Sequence, residues 1–188
     1  MEIMKPVLML VLLLGLSSLA AEVKKGDKVA PFNANDDKGL LWSSKESFNK
    51  DYLIVYFYPA AMTGGCTKQA CAYRDNEKEL AELGAQVVGV SGDSVVNLAA
   101  FKKMHNLNFP LLSDVNGLIA ERFGVPSRNG GKITREIDGK NLDFFRSFSM
   151  SRWTFVLDKE GKVVYINTKV NAAEDSKTVI AILKGLKK

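Results

Sequence analysis

Hydrophobic and polar residues follow one another in blocks that predict strands and helices in turn. Residues 52–58, YLIVYFY, form a continuous β-branched and aromatic run, typical of a strand buried on both faces of a sheet, and Pro59 ends it. Residues 67–83 place apolar side chains among charges at helical spacing, which predicts an amphipathic helix stopped by Gly84. Residues 85–91, AQVVGVS, predict a second buried strand.

The later part of the chain continues this alternation. Residues 95–106 predict a second helix that begins at the caps Asp93 and Ser94. The segments RWTFVLD and KVVYINT flank a Lys-Glu-Gly turn and predict an antiparallel hairpin, and residues 172–186 predict a closing helix. Strands and helices in this order predict an α/β protein, with a mixed central sheet flanked by helices on both sides.

Other segments carry weaker patterns. Residues 21–50 are mixed and polar, with a turn at 36–39 between two short predicted strands. Residues 109–114 are a short apolar piece, and residues 116–124 predict a short helix. Residues 126–150 lose any clear period, and we interpret them as a long loop.

Composition indicates one folded domain. The chain has 188 residues, 46% hydrophobic and 25% charged, which is the balance of a globular protein. The net charge is +5, but the basic residues are scattered and no basic block is interleaved with aromatic residues. We therefore expect a single domain over residues 21–188 and no nucleic-acid partner.

The first twenty residues differ from the rest and are typical of a cleaved export signal. Lys5 precedes an apolar run at residues 7–16, and Ser18 and Ala20 have the spacing of a signal-peptidase site. The run of about ten residues is short of the roughly twenty that span a bilayer, although an uncleaved anchor stays open. The sequence thus predicts a periplasmic or secreted protein without a membrane span after cleavage, in a compartment where thiols can pair.

Both cysteines lie in one short segment, YPAAMTGGCTKQACAYRD. Cys66 falls where the loop after the first buried strand enters the predicted helix. Ligands of open α/β sheets bind at the carboxyl ends of strands, and a helix N-terminus favours the thiolate, which is the reactive form. Cys66 is therefore a candidate nucleophile.

The spacing of the two cysteines makes their pairing unusual. On a helix, five residues rise about 7.5 Å, which puts the Cα atoms of Cys66 and Cys71 roughly 8 to 9 Å apart. A disulfide needs Cα atoms within about 7 Å, so the first turns of the helix would have to unwind for a bridge to form. This requirement favours a disulfide that is made and broken during a reaction.

Three other interpretations apply to a pair of cysteines. A permanent structural disulfide is common in exported domains, but a five-residue loop constrains the unfolded chain little and here disrupts a helix. A metal site needs further ligands, and the single histidine, His105, is predicted on another helix. A thioredoxin-type exchange site usually has two residues between its cysteines, whereas this chain has four.

The residues around Cys66 resemble a known family. Pro59, three residues, Thr63, two residues and Cys66 are similar to the peroxiredoxin active-site motif, and the second cysteine five residues on resembles the bacterioferritin-comigratory, or Q-type, peroxiredoxins. The similarity continues through GVSGDS, FKKMHNLNFPLLSD and RWTFVLDKEGKVV and covers most of residues 27–187.

This resemblance implies a thioredoxin-like fold and a thiol-based peroxidase that needs no metal, haem or flavin. By position, Cys66 would be the peroxidatic cysteine, which attacks hydrogen peroxide or an organic hydroperoxide and becomes a sulfenic acid. Cys71 would be the resolving cysteine, which condenses with that sulfenic acid to an intramolecular disulfide. A thioredoxin-like dithiol would then restore both thiols.

The resemblance also implies roles for three other residues. Thr63 would bond the peroxide and the thiolate through its hydroxyl, and Pro59 would shield the thiol from water. Arg152, at the start of RWTFVLD, would stabilise the thiolate and the charge on the leaving oxygen. We interpret the nearby Arg146 as a surface or hairpin-end cation.

Some features depart from the family or lie outside its motif. Gly64 stands where the family often has Pro or Ser, and the segment 126–150 is longer and more basic than usual. We expect its aromatic cluster FFRSF to pack in the core, with part of a hydroperoxide-binding wall as the alternative. We also assign packing roles to His105, Trp42 and Trp153.

The favoured hypothesis is an exported, monomeric Q-type peroxidase, because both cysteines lie on one chain and no partner cysteine is needed. One alternative is a redox sensor that signals through local unwinding without turning over. Another is a disulfide-exchange protein with no peroxide reaction, which would leave Thr63 and Arg152 without a function.

Overall fold

The structure is a computed structural model that describes residues 23–48, 50–137 and 139–187. Within these ranges the strands are β1 (Asn33–Asp36), β2 (Leu41–Ser43), β3 (Tyr52–Phe57), β4 (Ala85–Ser91), β5 (Leu111–Ser113), β6 (Ser127–Ile137), β7 (Lys140–Met150), β8 (Thr154–Asp158) and β9 (Val163–Asn167). The helices are α1 (Ser44–Ser47), α2 (Gly64–Asp75), α3 (Glu77–Glu82), α4 (Val95–His105), α5 (Leu118–Arg122) and α6 (Asp175–Leu186). The export signal predicted for residues 1–20 lies outside this description.

Seven strands form a mixed sheet in the order β2-β1-β5-β4-β3-β8-β9. Strand β4 runs parallel to both β3 and β5, while β3 and β8, β8 and β9, β1 and β5, and β1 and β2 are antiparallel. The predicted parallel unit, the late hairpin and the closing helix are confirmed.

Strand β3 explains why the YLIVYFY run is continuous. Ile54 and Tyr56 face a core built mainly with α2, α3, α4 and α6, whereas Val55 and Phe57 face a second core that includes α5. Each of these side chains is fully buried, and burying a large apolar side chain contributes roughly 1.5–3 kcal/mol. The strand therefore lies in the interior of the fold, between the two cores.

The helix predicted for residues 67–83 is wrong in its extent. The structure begins the helix earlier, at Gly64, and divides it at Asn76 into α2 and α3. The Asn76 side chain donates a hydrogen bond to the carbonyl of Ala72 at 2.7 Å and one to Ser176 Oγ at 3.2 Å. Such side-chain bonds compete with the helical ladder, which accounts for the break.

The loop interpretation of residues 126–150 is also wrong. The segment is a long antiparallel hairpin in which β6 and β7 form a separate two-stranded sheet. Its turn contains Gly139 at φ +73°, a conformation that favours glycine. Most of its side chains are exposed on both faces, so no alternation of polar and apolar residues marks the strands in the sequence.

None of the helices in the described part of the chain has the length and apolar character needed to cross a membrane.

Candidate active site

Cys66 occupies the first turn of α2, directly after the loop that leaves β3. It is the third residue of the helix, its side chain is 1% exposed, and Thr63 is the N-cap. Met62, in the same loop, has a φ of +63°, which is unusual for a residue with a side chain. Unpaired N–H groups and the helix dipole favour a negative charge at this position, as predicted from the sequence.

Arg152 contacts the thiol directly. Its Nη2 donates a hydrogen bond to Cys66 Sγ at 3.2 Å, and its Nη1 donates one to Gln69 Oε1 at 2.6 Å. The residue lies just before β8, which pairs with β3 and so brings residue 152 beside the loop that carries Cys66. A guanidinium in this position can stabilise both a thiolate and a developing oxyanion.

Thr63 and Pro59 lie on either side of the same loop. The Thr63 hydroxyl donates its proton to the carbonyl of Ala60 at 2.8 Å, which leaves its lone pairs free to accept a hydrogen bond from a bound peroxide. Pro59 is half-buried and, with Arg152 and Trp153, lines a cleft of about 470 Å³. Cys66 itself is not among the residues that line the cleft.

Gly64 is not required by the shape of the site. A Cβ at this position would meet no other atom within 4 Å, and the residue has an ordinary helical conformation as the first residue of α2. The departure from the usual Pro or Ser is therefore sterically neutral.

Cys71 shares helix α2 with Cys66, and both thiols are free. The helix is continuous from Gly64 to Asp75, so the two cysteines are held apart by helical geometry, as expected from their spacing. Cys71 is half-buried and lies near Arg74. The hydrogen bond to Asp75 raises the pKa of Arg74 above its usual value, and the Cys71 thiolate raises it further.

A buried polar network beneath the thiol was missed in the sequence. Gln69 Nε2, Tyr73 Oη and Thr154 Oγ1 all donate hydrogen bonds to Asp175 Oδ2, at 2.8, 2.7 and 2.7 Å. Burial raises the pKa of the neighbouring Tyr56 well above its usual range, and the Cys66 thiolate and the Asp175 carboxylate raise it further. Tyr56 therefore stays a neutral phenol near Cys66.

A second buried carboxylate, Asp93, supports the loop before Cys66. Its Oδ2 accepts hydrogen bonds from the backbone N–H of Ala61 at 2.8 Å and from Ser91 Oγ at 3.0 Å. It was predicted as a helix cap, but the N-cap of α4 is Ser94, which accepts a hydrogen bond from Asn97 N. Asp93 instead fixes the active-site loop.

The interpretation of Arg146 as a surface cation is wrong. Its side chain is only 5% exposed, and its Nε lies 3.3 Å from Oδ1 of the fully buried Asp93. The hairpin β6–β7 can pack this closely because Gly92 has no side chain: a Cβ at residue 92 would clash with the carbonyl oxygen of Phe148. The hairpin also contacts the loop through Arg135, whose Nε donates a hydrogen bond to the carbonyl of Met62 at 2.9 Å.

The packing roles assigned to other residues agree in part with the structure. Each of the three rings packs against a phenylalanine, with ring centroids no more than 6.1 Å apart: His105 against Phe101, Trp42 against Phe32, and Trp153 against Phe155. In the FFRSF cluster, Phe144 is buried and Phe148 is half-buried, but Phe145 is 62% exposed and contradicts the expected core role. Among the described residues, no group of His, Cys, Asp and Glu could hold a metal ion.

Comparison with known sequences places this geometry in context. The model of the AhpC/TSA family matches residues 25–166. The chloroplastic peroxiredoxin Q of Sedum lineare is 37% identical over 172 residues, which are 91% of this chain and 83% of the relative. A putative peroxiredoxin of Mycobacterium tuberculosis is 34% identical over 166 residues, which are 88% of this chain and 99% of the relative.

The fold is similar to solved structures of proteins with related names. Peroxidoxin BcpB from Mycobacterium tuberculosis matches with a TM-score of 0.74 and 34% identity over 89% of this chain and 100% of that chain. The bacterioferritin comigratory protein of Xanthomonas campestris, studied for its alkyl peroxide reduction activity, matches with a TM-score of 0.68 and 28% identity over 84% of this chain and 92% of that chain.

Proposed function

Because this chain belongs to the AhpC/TSA family and is a thiol-dependent peroxidase, we propose that Cys66 is its peroxidatic cysteine and Cys71 its resolving cysteine. Its fold is the thioredoxin-like fold of the peroxiredoxins, as the resemblance implied. The observation that supports these roles best is the 3.2 Å contact between Arg152 Nη2 and the buried sulfur of Cys66 at the start of α2.

The first step consumes the peroxide. The Cys66 thiolate attacks one oxygen of the hydroperoxide, the O–O bond breaks, and the sulfur becomes a sulfenic acid. The other oxygen leaves with a proton as water or an alcohol. Arg152 stabilises the thiolate and the charge on the leaving oxygen, while Thr63 accepts a hydrogen bond from the peroxide and orients it. Pro59 covers the loop side of the site and limits access of water.

The second step requires a change of shape. The Cys71 thiolate attacks the sulfenic sulfur of Cys66, a disulfide forms, and water leaves. Both residues lie on the continuous helix α2, so the turn around Cys66 must unwind before the sulfurs meet. A dithiol then reduces this disulfide by exchange and restores the starting state.

Arg152 provides a direct test of the first step. Replacing Arg152 with alanine should lower the second-order rate constant for hydrogen peroxide by about 100-fold, the usual effect of removing one donor to a developing oxyanion. Arg152→Lys should retain part of the rate, because lysine keeps the charge but cannot hold Gln69 and Cys66 together. Stopped-flow fluorescence measures the rate, and thermal unfolding checks that the variants fold. A wild-type rate in Arg152→Ala would contradict the assigned role.

We also propose that the chain is exported, acts as a monomer and is reduced by an exported thioredoxin-like dithiol. The signal-like residues 1–20 support export, and the presence of both thiols on one chain supports a monomer. In Cys71→Ser, a thiol of that reductant should attack the sulfenic acid of Cys66 and form a mixed disulfide with loss of water. Acid quenching and alkylation of the cells should capture this species before the second thiol of the reductant breaks it by exchange. The trapped protein should sustain many turnovers of the wild type with hydrogen peroxide. Oxidation of a single equivalent, or capture of cytoplasmic proteins alone, would contradict this proposal.

A further inference from the structure

A chain of hydrogen bonds connects the Cys66 sulfur to the C-terminal helix. Arg152 donates to Cys66 Sγ and to Gln69 Oε1, and Gln69 Nε2 donates to Asp175 Oδ2 at 2.8 Å. Gln69 is fully buried and Asp175 is 1% exposed, so water does not compete for the bond between these two side chains. Asp175, the first residue of α6, lies 109 positions after Cys66 in the sequence. In the fold only the Gln69 side chain lies between Asp175 and Arg152.

The donors around Asp175 are arranged for an anion. Tyr73 Oη and Thr154 Oγ1 donate to the same oxygen as Gln69, so α2 and β8 both hold the carboxylate. Among the described residues, none donates a hydrogen bond to its other oxygen, Oδ1. The three bonds on Oδ2 stabilise a charge that would otherwise be costly to bury.

The hydrogen-bonding partners on either side of Gln69, Arg152 and Asp175, determine how its amide is oriented. A guanidinium only donates hydrogen bonds, and an ionised carboxylate only accepts them. An amide has one accepting end and one donating end, so only one orientation of Gln69 satisfies both Arg152 and Asp175. If Asp175 were absent, the amide could rotate and present its NH₂ group to Arg152, which would push the guanidinium away.

We propose that Asp175 is a positioning residue for the peroxide reaction: by orienting the Gln69 amide it anchors Arg152 Nη1 and so holds Nη2 against Cys66. This inference rests on the proposed role of Cys66 and adds a layer of residues behind Arg152. It links the start of α6 to the reactivity of the thiol through two side chains.

Three single variants separate orientation from charge and from stability. Asp175→Ala removes the acceptor and should slow the reaction of Cys66 with hydrogen peroxide about tenfold, the scale of one hydrogen bond to a charged group. Asp175→Asn should restore most of that rate, because its amide oxygen can take the place of Oδ2 and accept the same three bonds. Tyr73→Phe is the matched control, since it removes one donor from the same oxygen and leaves Gln69 in place.

A paired substitution tests the link from Asp175 through Gln69 to Arg152 even if Asp175→Ala does not fold. Gln69→Glu would place a second carboxylate against Asp175 in a buried site, and should slow the reaction with peroxide about tenfold or more. Adding Asp175→Asn should recover the rate, because the asparagine amide can donate to Glu while Glu accepts from Arg152. This recovery would support a relay between the two positions.

The measurements are the second-order rate constant for peroxide, the pH profile of Cys66 alkylation by iodoacetamide, and the thermal midpoint of each variant. We expect Asp175→Ala to move the alkylation profile to higher pH, and Tyr73→Phe to leave it unchanged at a similar loss of stability. A folded Asp175→Ala with the wild-type rate, an equal loss of rate in Tyr73→Phe, or no recovery in Gln69→Glu with Asp175→Asn would overturn the proposal. Wild-type turnover in Cys66→Ser would instead refute the proposed function itself.

Discussion

Replacing Cys66 with serine is expected to abolish peroxide turnover. A serine hydroxyl has no accessible anion at neutral pH and cannot attack the O–O bond, whereas a thiolate at this helix N-terminus can. The substitution removes only the sulfur and leaves Arg152, Thr63 and the loop in place, so the loss reports on chemistry and not on folding. Cys66 is the residue on which every step of the proposed cycle depends.

Cys71→Ser is the matched control for this experiment. It keeps the nucleophile and removes the residue that resolves the sulfenic acid, so it should consume one equivalent of peroxide and then stop. A dimedone-labelled sulfenic acid should accumulate on Cys66 and be detected by mass spectrometry. Cys66→Ser is mixed rapidly with hydrogen peroxide and a thioredoxin system, which measures turnover, whereas Cys71→Ser is mixed with hydrogen peroxide alone, so that no dithiol removes the sulfenic acid. If Cys66→Ser turned over like the wild type, or if Cys71→Ser formed no sulfenic acid, the assigned roles would be wrong.

The elements that set up this site follow from local patterns. The run of residues 52–58 predicts a central strand because each side chain needs a buried face, and residues 85–91 predict its neighbour for the same reason. Because these two strands are parallel, the loop that leaves the first one lies at the carboxyl edge of the sheet, and Cys66 follows this loop. Much of the fold and the place of Cys66 at the start of a helix could therefore be predicted from the sequence.

The supporting residues could not be predicted in this way, because they meet only in the folded chain. Gln69 and Asp175 are separated by 106 positions, and Asp93 and Arg146 by 53. Arg152 and Arg146 look alike in sequence, since both are single cations close to the predicted strand RWTFVLD. Pairing of β8 with β3 places Arg152 at the thiol, whereas the hairpin, which lacks a periodic pattern, carries Arg146 to Asp93.

The hairpin β6–β7 therefore has a structural connection to the reaction. Its buried Arg146 pairs with Asp93, and Asp93 in turn accepts the N–H of Ala61, five residues before Cys66. Arg135 on the same hairpin holds the carbonyl of Met62, whose backbone is in an uncommon conformation. In the proposed cycle the loop shifts when the start of α2 unwinds, so we expect contacts that fix residues 61 and 62 to oppose that opening.

Arg146→Met is expected to destabilise the protein by about 3–5 kcal/mol, the cost of leaving a buried charge without its partner. The methionine fills a similar volume, so the loss should come from the unpaired Asp93 carboxylate and not from a cavity. Urea unfolding followed by fluorescence measures the free energy of unfolding. The surface pair Lys132–Asp143 on the same hairpin provides the control, because both side chains are well exposed and Lys132→Met should change stability little.

Adding Asp93→Asn to Arg146→Met should recover part of the lost stability. Asparagine removes the buried charge but can still accept the hydrogen bond from Ala61 N–H, so the loop keeps its anchor while the electrostatic cost disappears. The double variant should then be more stable than Arg146→Met alone, which is the reverse of what two independent losses would give. Additive destabilisation would show that the pair is not coupled. A faster Cys66–Cys71 disulfide step in Arg146→Met, at an unchanged rate with peroxide, would show that the hairpin restrains the opening of α2.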